Sequence, residues 1–262
     1  GEMPFESSGL DFIGAQGDRT RWGAGVKVAV LDTGITDHPM LSGTKITHTD
    51  LVKDGQAFNG HGTAMASLIA GQDPANGGVA PGSELLDIRV ADAKGQGNVA
   101  VLAQGIMQAV DAGARLINIS LGSSADATML SQAVAYAQSR GVIIVAAAGN
   151  EQENQLAYPA AYPGVISVAA VDAQGRQAYF SNSGTGLTIA APGVGIISGY
   201  SDNKTVIGNG TSQAAAITTG AASYLLGRNY AAANIPQVLT QNAIRVQAHA
   251  TQVGAGLLRL PK

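Results

Sequence analysis

The chain has 262 residues, of which 45% are hydrophobic and only 13% are charged, and its net charge at pH 7 is −3. A charged share about half of the usual ~25%, with no block or stripe of Lys and Arg, excludes a disordered chain and argues against nucleic acid as the main partner. The chain has no cysteine, which excludes disulfide bonds, a thiolate nucleophile and zinc sites built on cysteine.

The sequence lacks the marks of a membrane span and of a leader. Its longest apolar runs, such as residues 142–148, fall far short of the ~18 residues that a span requires. No basic segment followed by an apolar one precedes Gly1, so we interpret the sequence as a mature chain or a cytosolic one. Since we find no repeat, linker or low-complexity tract, we predict one domain over residues 1–262.

Short apolar runs rich in β-branched residues alternate along the chain with Ala-rich stretches of helical length. The predicted elements are, in chain order, strand 26–31, helix 61–70, strand 85–90, helix 99–112, strand 116–120, helix 127–140, strands 142–147 and 165–171, and helix 212–228. Strands that are apolar almost throughout are typical of parallel sheets covered on both faces. The alternation therefore predicts an α/β fold with a doubly wound, mostly parallel sheet and helices on both faces. We predict that segments around Ile189 and Val206 add antiparallel strands.

Three polar residues fall at strand ends or helix starts, where such folds bind ligands. They lie in the boxes Asp-Thr-Gly (32–34), His-Gly-Thr (61–63) and Gly-Thr-Ser (210–212). Serine becomes a nucleophile when a base takes its proton, imidazole titrates near neutrality, and a buried carboxylate fixes the imidazole tautomer. Taken alone, Asp32 is as consistent with a turn former as with a catalytic carboxylate. A single serine in the position of Ser212 is more often a helix cap than a nucleophile. His38, His48 and His249 are interpreted as structural.

Together these boxes resemble the subtilisin-like (subtilase) family of serine proteases, in which the chain order is Asp, His, Ser. The resemblance extends from about residue 23 to about residue 257 and includes Ser-Leu-Gly (120–122), Ala-Ala-Ala-Gly-Asn (146–150) and Ala-Pro-Gly (191–193). It implies a serine endopeptidase with Asp32, His61 and Ser212 as the catalytic triad. It also implies that the Asn150 amide and the backbone N–H of Ser212 form the oxyanion hole.

The resemblance further implies where a peptide substrate binds. Two extended edges, residues 95–97 and 120–122, would hold the peptide as an added strand. Residues 120–122, 147–149 and 157–159 would form a pocket with small apolar walls, so we expect a large apolar residue before the cleaved bond, while Glu151 near the mouth would tolerate a basic one. The substrate-binding residues predicted in this way are Gly95, Gln96, Gly97, Ser120, Leu121, Gly122, Ala147, Gly149 and Ala157.

The expected partners follow from the same resemblance. They are peptide or protein substrates and the protein's own pro-segment, which would serve as inhibitor and folding aid. We expect a monomer located outside the cell or in the periplasm, and an intracellular location stays open.

The sequence departs from the family pattern at two places. The family's Ser-Met-Ala-(Ser/Ala)-Pro box reads here as Ser-Gln-Ala-Ala-Ala (212–216), so an oxidisable thioether is replaced by Gln213, and Ala216 in place of Pro is expected to loosen the start of the helix. The family's calcium-binding His-Pro-Asp reads His-Pro-Met (38–40), and the loop 71–78 is short. Because Met40 cannot replace a hard oxygen ligand, we predict no cofactor and no strong calcium site, while a weaker calcium site stays open.

Three features of the sequence suggest rival interpretations to a protease. Gly95-Gln-Gly97-Asn-Val-Ala100 fits a dinucleotide-binding pattern, but the next strand ends without the carboxylate that should hold the ribose. An α/β-hydrolase needs an acid after its serine, and no Asp or Glu follows Ser212. A catalytically impaired relative that only binds peptides stays open because of Gln213 and Ala216.

Overall fold

Nine strands and seven α-helices follow one another in a computed structural model that describes all residues from 1 to 262. The strands are β1 (Lys27–Asp32), β2 (Ile46–Asp50), β3 (Glu84–Arg89), β4 (Leu116–Ile119), β5 (Ile143–Ala147), β6 (Ile166–Val171), β7 (Ile189–Pro192), β8 (Ile196–Gly199) and β9 (Thr205–Gly208). The helices are α1 (Gly9–Phe12), α2 (His61–Ala70), α3 (Val99–Asp111), α4 (Thr128–Ser139), α5 (Thr211–Gly227), α6 (Ile235–Asn242) and α7 (Ala250–Val253). None of the helices combines the length and hydrophobicity needed to cross a membrane.

The main sheet has seven strands in the order β2-β3-β1-β4-β5-β6-β7, and all of its pairs are parallel. The predicted α/β class with a parallel sheet is therefore confirmed. The prediction of an antiparallel strand around Ile189 is wrong, because β7 pairs parallel to β6. The prediction around Val206 is confirmed, because β9 pairs antiparallel with β8 in a separate two-stranded sheet.

Two apolar cores lie on opposite faces of this sheet. One face carries 48 buried residues and is covered by α2 and α5, and the other carries 21 buried residues and is covered by α3 and α4. In the central strands β1, β3, β4 and β5, residues that point to opposite faces supply the two cores. In β1, for example, Val28 and Val30 belong to the larger core and Ala29 and Leu31 to the smaller one.

The position of the candidate site follows from the strand order. From β1 the chain goes to the edge strand β2, returns to β3 beside β1, and then crosses to β4, from which it continues outward to β7 on the other side. The two halves of the sheet therefore meet between β1 and β4. Crevices at the carboxyl ends of strands beside such a junction are where α/β sheets bind ligands. Asp32 ends β1 and Ser120 directly follows β4, which places both at this crevice.

Candidate active site

Asp32 and His61 are joined at the crevice by a short hydrogen bond. His61 Nδ1 lies 2.7 Å from Asp32 Oδ1, which also accepts the backbone N–H of Thr33 at 2.8 Å. Asp32 is fully buried, and its second oxygen, Oδ2, has no hydrogen-bond partner. Since the carboxylate orients Nδ1, the His61 ring is fixed with Nε2 as its free nitrogen.

The environment of His61 changes its affinity for a proton. Burial of the ring opposes protonation, but the negative charge of Asp32 and the hydrogen bond to it outweigh this effect and raise the pKa of His61 above its ordinary value. An imidazole whose protonated form is stabilised in this way is well matched to accept a proton from a hydroxyl group.

Helix α2 brings His61 to Asp32 because two glycines let the backbones meet. A Cβ atom on Gly62 would lie 2.3 Å from the carbonyl oxygen of Gly34, so only glycine fits this contact. Gly34 itself has φ +98°, a left-handed conformation that favours glycine. The Thr33 hydroxyl donates to the Asn59 carbonyl and accepts from the Gly62 N–H, which ties the start of the helix to the end of β1.

Ser212 is the second residue of α5 and is 7% exposed. Its hydroxyl donates to the Ser120 carbonyl at 2.8 Å, and the Ser120 hydroxyl donates back to the Ser212 carbonyl at 3.1 Å. This reciprocal pair joins the start of α5 to the end of β4. The Ser212 hydroxyl therefore bonds to the backbone and not to His61.

A series of buried side-chain hydrogen bonds supports the contact between α5 and the end of β4. The Thr219 hydroxyl donates to Asn118 Oδ1 at 2.7 Å, and Asn118 Nδ2 donates to the Ser120 hydroxyl at 3.0 Å. Every member is buried and satisfied, so the chain fixes the rotation of α5 relative to β4. The sequence boxes did not reveal Asn118 or Thr219, because no local motif marks a polar residue inside an apolar strand or helix.

Asn150 lies beside the first turn of α5 with a defined orientation. Its Oδ1 accepts both the backbone N–H and the hydroxyl of Thr211 at 2.8 Å, which leaves the amide nitrogen Nδ2 available. A Cβ atom on Gly210 would lie 3.6 Å from both Asn150 Nδ2 and the backbone nitrogen of Ser212. Two N–H donors thus lie close to each other beside Gly210, where a side chain would also collide with Gln213 Oε1.

The two edges predicted to bind peptide border one groove. A cavity of about 200 Å³ is lined by Gly95 and Gly97 on one side and by Leu121 and Gly122 on the other. Gln96 is not part of its lining. Backbone hydrogen bonds in both directions between Ser123 and Tyr158 hold the second edge in place.

The pocket predicted to have small apolar walls has a more polar lining than the sequence indicates. A cavity of about 450 Å³ next to Asn150 is lined by Leu156 and Ala157 and by the polar residues Ser124, Glu151, Glu153, Gln155 and Asn182. Ser120, Ala147 and Gly149 do not line it. Buried Asn182 accepts the backbone N–H groups of both glutamates and donates to the Glu151 carboxylate at 2.8 Å, so the acidic side of the cavity is well ordered.

Gln213, which replaces the family's methionine, is buried and only 9% exposed. Its amide packs against the glycines of the preceding turn, since Cβ atoms on Gly208 and Gly210 would come within 2.6 and 2.7 Å of it. Ala216 lies fully buried within α5, which begins at Thr211 without a proline. The helix start is thus held by Asn150 and Ser120, and the expected loosening is not apparent in its contacts.

The residues at the family's calcium position do not suit the ion. The carbonyl of Gly78, in the short loop after α2, accepts two N–H groups of Arg19 at 3.1 and 3.3 Å and so faces a cationic side chain. Met40 supplies no oxygen ligand. Asn76 Oδ1 is buried without a partner, but it borders a space of only about 30 Å³ with mostly apolar lining. One free oxygen is far from the six to eight that Ca²⁺ takes.

Comparisons with known proteins agree with this geometry. The model of the subtilase family (Peptidase_S8) matches residues 23–256. Subtilisin Savinase of Lederbergia lenta is 42% identical over 219 residues, which cover 81% of this chain and 80% of that protein. A thermostable alkaline protease of Halalkalibacterium halodurans is 40% identical over 245 residues, which cover 90% of this chain and 67% of that protein. The chain spans 57% of the length of another relative, the alkaline protease of Alkalihalobacillus alcalophilus.

Two solved structures have the same fold. A mutant of the protease domain of PatA superposes with a TM-score of 0.84 at 31% identity and covers 92% of this chain and 94% of that one. The Prenylagaramide maturation protease PagA superposes with a TM-score of 0.80 at 30% identity and covers 94% of this chain and 91% of that one. The likeness therefore includes nearly the whole sheet and both helical layers.

Proposed function

Since the chain belongs to the subtilase family and is a serine endopeptidase, we propose that it hydrolyses peptide bonds through an acyl-enzyme formed on Ser212. His61 acts as general base, Asp32 holds the His61 ring in the required tautomer, and Asn150 stabilises the oxyanion. The observation that carries the proposal is the 2.7 Å bond between Asp32 and His61 Nδ1, because it leaves Nε2 to take a proton.

The reaction begins with a rotation of the Ser212 side chain from the Ser120 carbonyl toward His61. Ser212 Oγ then bonds to the substrate carbonyl carbon while its proton passes to His61 Nε2. The negative charge on the substrate oxygen is met by Asn150 Nδ2 and the backbone N–H of Ser212. As the C–N bond breaks, His61 gives the proton to the leaving amine, and a water molecule repeats these steps to free Ser212.

The substrate binds as an extended strand between residues 95–97 and residues 120–122, through backbone hydrogen bonds on both sides. The side chain before the cleaved bond enters the cavity beside Ala157 and Leu156, where a large apolar group is favoured. Glu151 and Glu153 add a second possibility at this cavity. A long basic side chain can pack its apolar stem against the two apolar residues and bring its charge to the carboxylates.

Peptides that differ only at the residue before the cleaved bond test this assignment. We expect efficient cleavage after Phe or Leu and measurable cleavage after Lys. In Glu151→Gln and Glu153→Gln, kcat/KM for the Lys peptide should fall by about two- to fivefold each, as for exposed ion pairs, while the Phe peptide serves as the unaffected control. Unchanged cleavage after Lys in the double variant would show that the carboxylates do not contact this side chain.

The setting of the activity is proposed by analogy with the family. We propose that the enzyme acts as a monomer outside the cell or in the periplasm, and that a pro-segment inhibits it and assists its folding. We also propose that it works without a tightly bound calcium ion, which the contacts of Arg19 with Gly78 support.

Labelling with a fluorophosphonate probe tests the proposed function directly, because the probe reacts only with an activated serine. We expect stoichiometric labelling that is lost in Ser212→Ala and strongly reduced in His61→Ala. If the unmodified chain stays unlabelled while it still binds peptides, the alternative of a catalytically impaired peptide-binding relative is the correct one. The observation in favour of this alternative is that the Ser212 hydroxyl donates to the Ser120 carbonyl and not to His61.

A further inference from the structure

A second Asp–His pair lies on the two strands next to β1, on the side away from β4. Asp87 on β3 is 2% exposed, and its Oδ2 lies 2.6 Å from Nδ1 of His48 on the edge strand β2. The two residues are in register with each other and with Val30 of β1, so the pair is two residues back along the strands from Asp32. The His48 side chain is 52% exposed, and it borders a surface cavity of about 520 Å³.

Asp87 also holds the segment that follows the catalytic aspartate. Its Oδ2 accepts the backbone N–H of Ile35 at 3.1 Å. The neighbouring residues of that segment carry the contact with α2 through the close approach of Gly34 and Gly62. A single carboxylate oxygen thus connects the edge strand to the turn that sets the distance between Asp32 and the helix bearing His61.

The charge of Asp87 depends on its partners. Burial raises the pKa of the Asp87 carboxyl group, the nearby charge of Asp32 acts in the same direction, and the hydrogen bonds from His48 and Ile35 oppose both. The hydrogen bond to Asp87 raises the pKa of His48, burial opposes it, and the charges of Asp87 and Asp37 add to the rise. The pKa of Asp87 is raised overall, and its 2.6 Å contact with His48 favours the charged form of each partner.

Two further charged or titratable side chains near the pair, those of Arg89 and His38, form their hydrogen bonds with other residues. Arg89, two residues further along β3, directs its guanidinium to Asp50 and Asp54. His38, which borders the same surface cavity as His48, accepts the Met40 N–H with Nδ1 and bonds through Nε2 to a backbone carbonyl at 2.7 Å. Neither of these residues hydrogen-bonds to Asp87.

We propose that Asp87 is a positioning residue for the catalytic Asp32 and that His48 keeps the Asp87 carboxyl group ionised. The inference rests on the proposed role of Asp32 and His61 in the triad. Asp87 fixes the turn after Asp32 through Ile35, and its negative charge on the side of Asp32 favours the protonated form of His61. A half-exposed histidine on the edge strand thereby influences the catalytic base.

Asp87→Asn tests the proposal, with the rate of fluorophosphonate labelling and kcat/KM measured from pH 4 to 9. Loss of a negative charge destabilises the imidazolium, so the acid limb of both profiles should move to lower pH by a few tenths of a unit to about one unit. Loosening of the turn should lower kcat by roughly tenfold with little change in KM. The matched control is Asp172→Asn, because Asp172 is equally buried, accepts three backbone N–H groups and follows β6, three strands away from β1.

His48→Gln keeps a hydrogen-bond donor and removes the titrating group. Without the imidazolium, Asp87 should take up a proton, so the acid limb should move in the same direction as in Asp87→Asn. The double variant should resemble Asp87→Asn alone, since residues that act as a pair are not additive. Because His48 is half exposed, this variant tests the proposal even if Asp87→Asn fails to fold.

The outcomes separate this inference from the proposed function. Labelling of the unmodified chain at Ser212 establishes the proposed function whatever the variants do. If Asp87→Asn then loses only stability and keeps the acid limb and kcat of the unmodified chain, as Asp172→Asn should, Asp87 is merely structural and the proposal is overturned. An upward shift of the acid limb in His48→Gln would overturn the role given to His48.

Discussion

The side chain of Asn150 has a fixed orientation that suits its proposed role in the oxyanion hole. Thr211 holds its oxygen with two hydrogen bonds, so the amide nitrogen stays free and lies beside Gly210, near the backbone nitrogen of Ser212. Asn150→Leu should lower kcat with little change in KM, because a developing oxyanion is stabilised only in the transition state. The expected loss is the roughly 100- to 1,000-fold that removal of such an amide causes in subtilisin itself. Asn154→Leu, an exposed change in the same loop, is the control, and an equal loss there would contradict the assignment.

Gln213 predicts resistance to oxidation. Peroxide converts a methionine thioether to a sulfoxide but leaves an amide unchanged. The most exposed methionines, Met3, Met107 and Met129, do not border either of the two cavities proposed to bind substrate. We expect the unmodified enzyme to keep most of its activity in dilute peroxide, while Gln213→Met loses it. Rapid inactivation of the unmodified enzyme would show that oxidation elsewhere is decisive.

The residues of the candidate site differ in how far the sequence could reveal them. Asp32, His61 and Ser212 lie in short boxes with glycine, because close backbone approach and a helix start impose a local pattern. Asn118 and Asp87 supply support from inside apolar strands, and their partners lie far away in the sequence: Thr219 on α5 for Asn118, and Ile35 in the turn after β1 for Asp87. No local pattern marks such a residue, because only the folded chain brings these partners together.

The side chain of Arg19 holds the loop after α2, at the position where the family resemblance implies a bound calcium ion. Buried Arg19 donates two hydrogen bonds to the Gly78 carbonyl, and hydrogen bonds from a charged donor contribute about 1.5–3 kcal/mol. We expect the melting temperature to be unchanged by a chelator and Arg19→Met to lower the free energy of unfolding by about 2 kcal/mol. Both are measured by thermal and denaturant unfolding of the Ser212→Ala form, which cannot digest itself.

Arg21→Met is the matched control for this prediction, because Arg21 lies two residues away and its side chain is exposed. Its free energy of unfolding should stay within about 0.5 kcal/mol of the parent. A melting temperature that falls sharply in chelator would contradict the prediction and indicate an ion bound elsewhere. Equal destabilisation by both substitutions would show that Arg19 acts through general charge and not through Gly78.

The elements also show where prediction from the sequence ends. The parallel strands and their helices were found because each strand is an apolar run followed by a periodic segment. Strand β7 was assigned the wrong direction because no helix separates it from β6, and the connection is instead an irregular loop of residues 172–188. The C-terminal segment then pairs beside β7, where the Leu258 N–H donates to the Ala190 carbonyl. Such a long-range contact leaves no periodic signal.

The whole molecule is organised by one sheet with a core on each face. The central strands β1, β3, β4 and β5 each supply buried residues to both cores. Neither core can lose its packing without disturbing the strands that also support the other. We therefore predict that residues 1–262 unfold as one cooperative unit, as expected of a single domain.

Two matched substitutions test this prediction in the Ser212→Ala form. Leu225 on α5 and Leu130 on α4 are both fully buried, but in opposite cores. Each change to Ala should lower the free energy of unfolding by about 2–5 kcal/mol. The ring centres of Trp22, the one tryptophan, and Tyr224 of α5 are 4.0 Å apart, and both rings pack against the larger core. Tryptophan fluorescence therefore reports on the unfolding of the larger core alone. In Leu130→Ala, this fluorescence should change at the same denaturant concentration as the far-UV circular dichroism. If the dichroism falls first, the smaller core unfolds by itself, and the chain contains two units that share a sheet.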